Sequence, residues 1–202
     1  ETAVYNELIK HDKITEIVTQ EPNGKPLDYD YYINAKDKFT EIDTSKYRSK
    51  HRINILKEDP EFVMRLANID DKEGIESLIN IWKKSKGKDY SGAVFRGFIK
   101  DYDKWISIDG IRVLVMSYKN IIMGVYVYIN TTDNNYYQVM NVALNKNIYE
   151  SSDVLMSKIL SDTSQISLYF TLDFLHDVNL ITFAGGRIPS LVAYKKRVYK
   201  NS

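Results

Sequence analysis

Residues 111–130 read IRVLVMSYKNIIMGVYVYIN. β-branched and aromatic residues dominate both halves, and the side-chain pattern has a period near two. Lys119-Asn120 interrupts the run with the two residues that a tight turn needs. This is the grammar of a β-hairpin. A second turn signal, TTDNN, precedes YYQVMNVALN, which reads as a third strand. Each connection is only a few residues long, so strands over 111–118, 121–130 and 136–144 are expected to be consecutive and antiparallel.

Working outward from the hairpin, the pattern on both sides is helical. Upstream, SKYRSKHRINILKEDP begins at Ser45 and stops at Pro60, and EFVMRLA, residues 61–67, alternates as a strand does. Asp70 or Asp71 is placed to cap a helix whose apolar residues Ile75, Leu78, Ile79 and Trp82 fall at i, i+3, i+4 and i+7. Gly87 ends it, and Phe95, Phe98, Ile99 and Tyr102 repeat the spacing in a second helix. Trp82 and Phe98 are therefore expected in the core, on the faces that meet the sheet. Downstream, residues 147–163 fit either a helix or a strand with a loop. SQISLYFTLDFLHDVN from Ser164 is a stronger helix, followed by the strand LITFA, the pair Gly185-Gly186 and a basic amphipathic ending. Residues 1–44 are polar, carry the turn PNGKP and lack firm periodicity, so they read as an N-terminal extension of short strands and loops before a domain over 45–202. Helices gathered around a mostly antiparallel sheet make the expected class α+β.

Composition excludes several chemistries. The 202 residues hold no Cys, which removes disulfides, thiolate-ligated zinc, iron–sulfur clusters and a thiol nucleophile. His11, His51 and His176 have no metal-ligand spacing, and no metal is expected. No nucleophile elbow is present. A net charge of +1 rules out a molecule that binds polyanions over its whole surface but leaves room for local basic patches. The sixteen Tyr suit half-buried sheet positions and partly wet clefts. No apolar run of membrane-spanning length occurs and the first residues lack a signal-peptide core, so the expected location is the cytoplasm.

Four stretches resemble the GNAT acyltransferase superfamily, in particular its Fem-like aminoacyl and peptidyl transferases and the related lysyl-phosphatidylglycerol-synthase-type domain. They are KYRSKHRINI, the helices carrying Trp82 and Trp105, the hairpin IIMGVYVYI with Gly124, and DTSQISLYFTLDFLHDVNLITFAGG running into LVAYKKRVY. The resemblance covers about residues 45–200. It implies a GNAT-like α+β fold and transfer of an acyl or aminoacyl group to an amine or hydroxyl of a large or phosphorylated acceptor. The donor it implies is acyl-CoA or aminoacyl-tRNA. The glycine-rich phosphate loop of ordinary acetyl-CoA enzymes is missing, because LNKNIYESSDV holds no glycine to free backbone N–H groups for a pyrophosphate. That departure favours aminoacyl-tRNA. Two other readings share the fold: a transferase of viral type that hypermodifies DNA bases, and a catalytically silent GNAT-like binding module.

Acyl transfer needs a proton acceptor, a stabilised oxyanion and a held donor. Asp173 is the expected base, since partial burial in an apolar stretch would favour its protonated form; the plain alternative is a wet helix face. Tyr169, one turn earlier, is the expected general acid or orienting group, or else a Tyr at the core rim. Gly185, Gly186, Arg187, Lys195 and Arg197 are the expected donor or substrate contacts at the end of the chain. Arg48 and Arg52 extend that set from the cluster Lys46, Arg48, Lys50, His51, Arg52, with a turn and solvated helix faces as the alternatives.

Overall fold

The structure is a computed structural model and describes residues 31–34, 49–87, 92–132 and 134–183. The elements are β1 (Tyr31–Asn34), α1 (Lys50–Glu58), β2 (Phe62–Leu66), α2 (Lys72–Lys84), α3 (Ala93–Lys100) and α4 (Tyr102–Ser107), followed by β3 (Ile111–Tyr118), β4 (Ile121–Thr132), β5 (Asn135–Ala143), α5 (Val154–Ser161), α6 (Thr163–Phe174) and β6 (Leu180–Phe183). Of the expected N-terminal extension, only β1 is described. Lys46, Arg48, Gly185, Gly186, Arg187, Lys195 and Arg197 lie outside the described residues.

Among the described residues six strands form one sheet in the order β1-β6-β5-β4-β3-β2. The β3–β4 hairpin closes through Lys119 (φ 50°) and Asn120 (φ 61°), both left-handed as a two-residue hairpin turn requires. β2 through β5 pair antiparallel, as does β1 with β6, while β5 and β6 run parallel. The sheet is thus mostly antiparallel with one parallel pair, and the fold is α+β. Val113–Met116 of β3 and Val125–Tyr128 of β4 are buried without alternation, the pattern of central strands covered on both faces. β5 alternates, burying Tyr136, Gln138, Met140 and Val142 and exposing Val139 and Asn141. The ambiguous stretch before Ser164 resolves into α5, whose first turn is capped by Asp153 accepting from the Met156 N–H at 2.8 Å.

Two expectations are corrected. Phe98 is in the core, but Trp82 is only half-buried: it sits near the C-terminal end of α2, edge-on to Phe95 at 5.4 Å with the Lys86 ammonium 4.4 Å above its ring. An apolar stripe marks a helix face without saying whether the far end of that face meets the sheet or a cavity. Nor does a carboxylate cap α2. Asn68 caps the short turn before it, and Asp71 accepts two guanidinium bonds from Arg65 at 2.6 and 2.7 Å and the Asn68 N–H at 2.8 Å. Burial works against the Asp71 carboxylate, but Arg65 and Asn68 together hold its pKa below the usual carboxylate range. Beside it, Tyr102 is fully buried and donates to the Asn68 carbonyl at 2.7 Å.

These placements separate two substitutions that the sequence treats alike. Phe98→Ala should destabilise by about 3–5 kcal/mol, the range for large aromatic truncations in cores. Trp82→Ala should cost clearly less in the same urea titration. The Asp71 interaction has a defined pH sense. A depressed folded pKa gives stability that is present above the unfolded carboxylate value, near 4, and is lost as pH falls through the lower folded value. Wild type and Asp71→Asn should therefore differ in unfolding midpoint at neutral pH and converge under acid.

Candidate functional site

Pairing of β5 with β6 runs from Asn135 opposite Leu180 to Gln138 opposite Phe183. β5 itself continues to Ala143. α6, part of the crossover that brings β6 in parallel, packs on β2 through Phe170 against Phe62, with ring centroids 4.6 Å apart, and turns another face toward β4 and β5. Between them is a cavity of about 320 Å³. Its walls come from Tyr126 and Tyr128 of β4, from Gln138 and Asn141 of β5 with Asn145 just beyond it, from Thr163, Ser164, Ser167, Leu168 and Thr171 of α6, and from Trp82.

The lining is polar but carries no charge. Among the described residues no carboxylate, imidazole, ammonium or guanidinium group lines it. Tyr128 and Gln138 face each other across β4 and β5, and Gln138 Nε2 donates to the Tyr128 hydroxyl at 2.7 Å. Thr171 also hydrogen-bonds that hydroxyl. Burial pushes the Tyr128 pKa well above the ordinary phenol value, only partly offset by these two bonds, so the phenol stays protonated throughout the physiological range. On the helical side the hydroxyls are committed: Thr163 Oγ1 donates to the Ile159 carbonyl at 3.1 Å, Ser161 Oγ to Lys158 at 2.8 Å and Ser167 Oγ to Ser164 at 3.3 Å.

The candidate residues fall in three places. Arg52 reaches the rim of the cavity: it donates to Ser161 Oγ at 3.0 Å and pairs with Asp162. Tyr169 and Asp173 do not reach it. At 100° per residue, Thr163, Ser164, Ser167, Leu168 and Thr171 occupy one face of α6, and Tyr169 and Asp173 project from the opposite one. Tyr169 is buried with the Lys57 ammonium of α1 5.1 Å above its ring. A hydrogen bond to Tyr169, opposed by burial and helped by the charges of Asp173 and Glu58, raises the Lys57 pKa. Asp173 is exposed, so the burial expected for it is absent. The remaining candidates, Arg48, Gly185, Gly186, Arg187, Lys195 and Arg197, lie outside the described residues.

The sequence reading missed the lining itself. Thr163, Ser167 and Thr171 recur every four residues in an otherwise apolar helix, and Gln138 replaces an apolar residue at a core position of β5 between Tyr136 and Met140. Those two irregularities were the legible signal.

With the site in place, the chain can be set beside solved structures. A conserved protein of unknown function from Bacteroides thetaiotaomicron superposes with a TM-score of 0.59 at 13% identity, over 87% of this chain and 56% of that one. FemX gives 0.58 at 8%, over 98% of this chain and 65% of that one. The C-terminal domain of a lysylphosphatidylglycerol-synthetase-type protein from Agrobacterium fabrum gives 0.53 at 10%, over 87% and 53%. The chain shares its fold with FemX and with that C-terminal domain. The chain spans between about half and two thirds of the length of these structures. No protein-family model matches the sequence, and no curated protein is significantly similar to it. Among the described residues no helix is long and apolar enough to cross a membrane.

Gly124 controls the shape of the cavity wall. It sits where the β3–β4 register shifts, and a Cβ placed on it would lie 2.4 Å from the Tyr126 hydroxyl. Gly124→Ala must displace the Tyr126 ring and should cost about 1–3 kcal/mol, the range for overpacking. The change should appear as a lowered melting temperature and as shifted resonances for Tyr128 and Gln138 across the wall.

Proposed function

We propose that the protein transfers an acyl or aminoacyl group to an amine or hydroxyl of a larger acceptor, with the reacting ends meeting in the cavity between β5 and α6. The observation that carries this reading is the polar, uncharged cavity between strands β4 and β5 and the crossover helix α6 of a GNAT-like sheet. The wall would position the two partners. Attack by the amine lone pair on the acyl carbon releases the carrier, and holding both groups in line supplies much of the rate enhancement. Asn145 is oriented for the developing oxyanion: its Oδ1 is taken by the Asn147 N–H at 2.9 Å, which leaves Nδ2 to donate.

The donor in this reading is an acyl-CoA or an aminoacyl-tRNA, whose phosphates stay outside the uncharged interior. Arg52 would meet them at the rim, and Arg48, Gly185, Gly186, Arg187, Lys195 and Arg197 would extend that contact. The second reading, a GNAT-like module that binds without turnover, is favoured by one feature, the lack of a titratable base in the described wall.

Incubation with acetyl-CoA or alanyl-tRNA and a panel of amines, followed by mass spectrometry, separates the two. The transferase reading expects an acylated amine that forms only when protein is present. Arg52→Ala should weaken donor binding about tenfold, the effect of one charge-assisted hydrogen bond, and less at high salt. Saturable donor binding with no acylated product in any combination would leave the binding module.

A further inference from the structure

We propose that the cavity is a specificity pocket for an uncharged amide group, and that Gln138 together with the hydroxyls of α6 sets that preference. This rests on the transferase reading only for the use made of the bound group. The inference comes from counting where the protons go. Ser167 and Thr163 spend their hydroxyl hydrogens on carbonyls of their own helical segment, so each oxygen offers lone pairs to the cavity. Gln138 spends an Nε2 hydrogen on Tyr128, an amide orientation that leaves Oε1 as a further acceptor. At the other end Asn145 has its Oδ1 occupied by the Asn147 N–H and presents Nδ2 as a donor. These groups therefore give acceptors along Gln138 and α6 and a donor beyond the end of β5, while Asn141 and Ser164 complete the polar lining.

An amide is the small group that matches this arrangement, its N–H toward the oxygens and its C=O toward Asn145. A carboxylate would meet lone pairs with no cation among the described lining residues to offset its desolvation, and an ammonium would find acceptors but no counter-charge. The volume of about 320 Å³ holds a group of several heavy atoms. Arg52, at the rim, is occupied by Asp162 and Ser161.

The test uses three small probes of similar size, acetamide, acetate and methylammonium, titrated into the full chain at constant ionic strength. The readout is the side-chain amide resonances of Gln138 and Asn145. Acetamide should shift both along a saturating curve, at least about tenfold more tightly than acetate or methylammonium, the value of roughly one well-made hydrogen bond. Gln138→Glu keeps the shape and adds a negative charge; it should lose acetamide about tenfold and gain methylammonium. Should that variant not fold, Ser167→Ala, which deletes a single acceptor, must weaken acetamide while leaving acetate unchanged. Acetate binding as tightly as acetamide, no saturable shift with acetamide, or an unaltered ranking in the folded variant would each overturn the proposal. Failure here is distinct from failure of the transferase reading. Acetamide selectivity without acyl transfer removes the enzyme and keeps the pocket, whereas acyl transfer with no amide preference does the reverse.

Discussion

Parallel neighbours cannot be joined by a turn, and the pairing of β5 with β6 imposes that constraint on the whole second half of the chain. The link between them has to leave one end of the sheet and re-enter at the other, so it becomes α5 and α6. α6 lines one side of the cavity and β4 and β5 line the other, so the crossover that the parallel pair requires also supplies a wall of the pocket. The carboxylate of Asp177 helps hold the arrangement from below: its two oxygens take the Arg112 guanidinium at 2.8 and 2.7 Å, and Asn134 donates to the Asp177 carbonyl at 2.6 Å. That clamp ties the loop before β6 to the β3 edge of the hairpin and to the β4–β5 turn.

Several of the polar groups inside this frame are bonded to one another or to the backbone, as burial favours. Gln138, Tyr128 and Thr171 form one chain of hydrogen bonds, and the α6 hydroxyls answer to helical carbonyls. Such an interior keeps its shape without a ligand and leaves lone pairs available to one. The ionisable groups are kept elsewhere. Lys57 and Tyr169 meet on the far side of α6 with Asp173 nearby, Arg65 and Asp71 lie before α2, and Lys119 pairs with Asp153 at 2.7 Å beneath the hairpin turn.

How much of this was legible follows from what each pattern encodes. The hairpin, the third strand and α2 could be read because period two and period 3.6 each report one buried face, while the second helix expected from Phe95 to Tyr102 is broken at Asp101 into α3 and α4. The Lys119-Asn120 turn was equally direct, since two left-handed residues are a local requirement. α6 was legible as a helix but not as an orientation. Thr163, Ile166 and every residue from Ser167 to Leu172 are buried, so apolar periodicity could not tell the cavity face from the α1 face. That is why Tyr169 and Asp173 stood out in the sequence while Ser167 and Thr171 did not. Trp82 failed for a related reason: an amphipathic stripe fixes the direction of a side chain but not what the partner surface leaves open.

An uncharged cavity with an Arg52–Asp162 ion pair at its rim also bears on how an amine could react there without a neighbouring base. An amine is protonated in water, and only its neutral form has the lone pair that attacks an acyl carbon. Moving an ammonium into a pocket with no compensating anion among the described lining residues penalises the charged form, as burial does for lysine, and lowers its pKa. The proton can be left in solvent on entry. The hydroxyl and amide oxygens of the wall then accept the remaining N–H bonds and fix the lone pair toward the carbonyl. A carboxylate within the wall would oppose this: it would stabilise the ammonium and hold the nucleophile in its inactive form until the proton was transferred. In such a site desolvation takes over part of the work of a general base, and a lining rich in Ser, Thr, Asn and Gln and free of described carboxylates becomes compatible with acyl transfer.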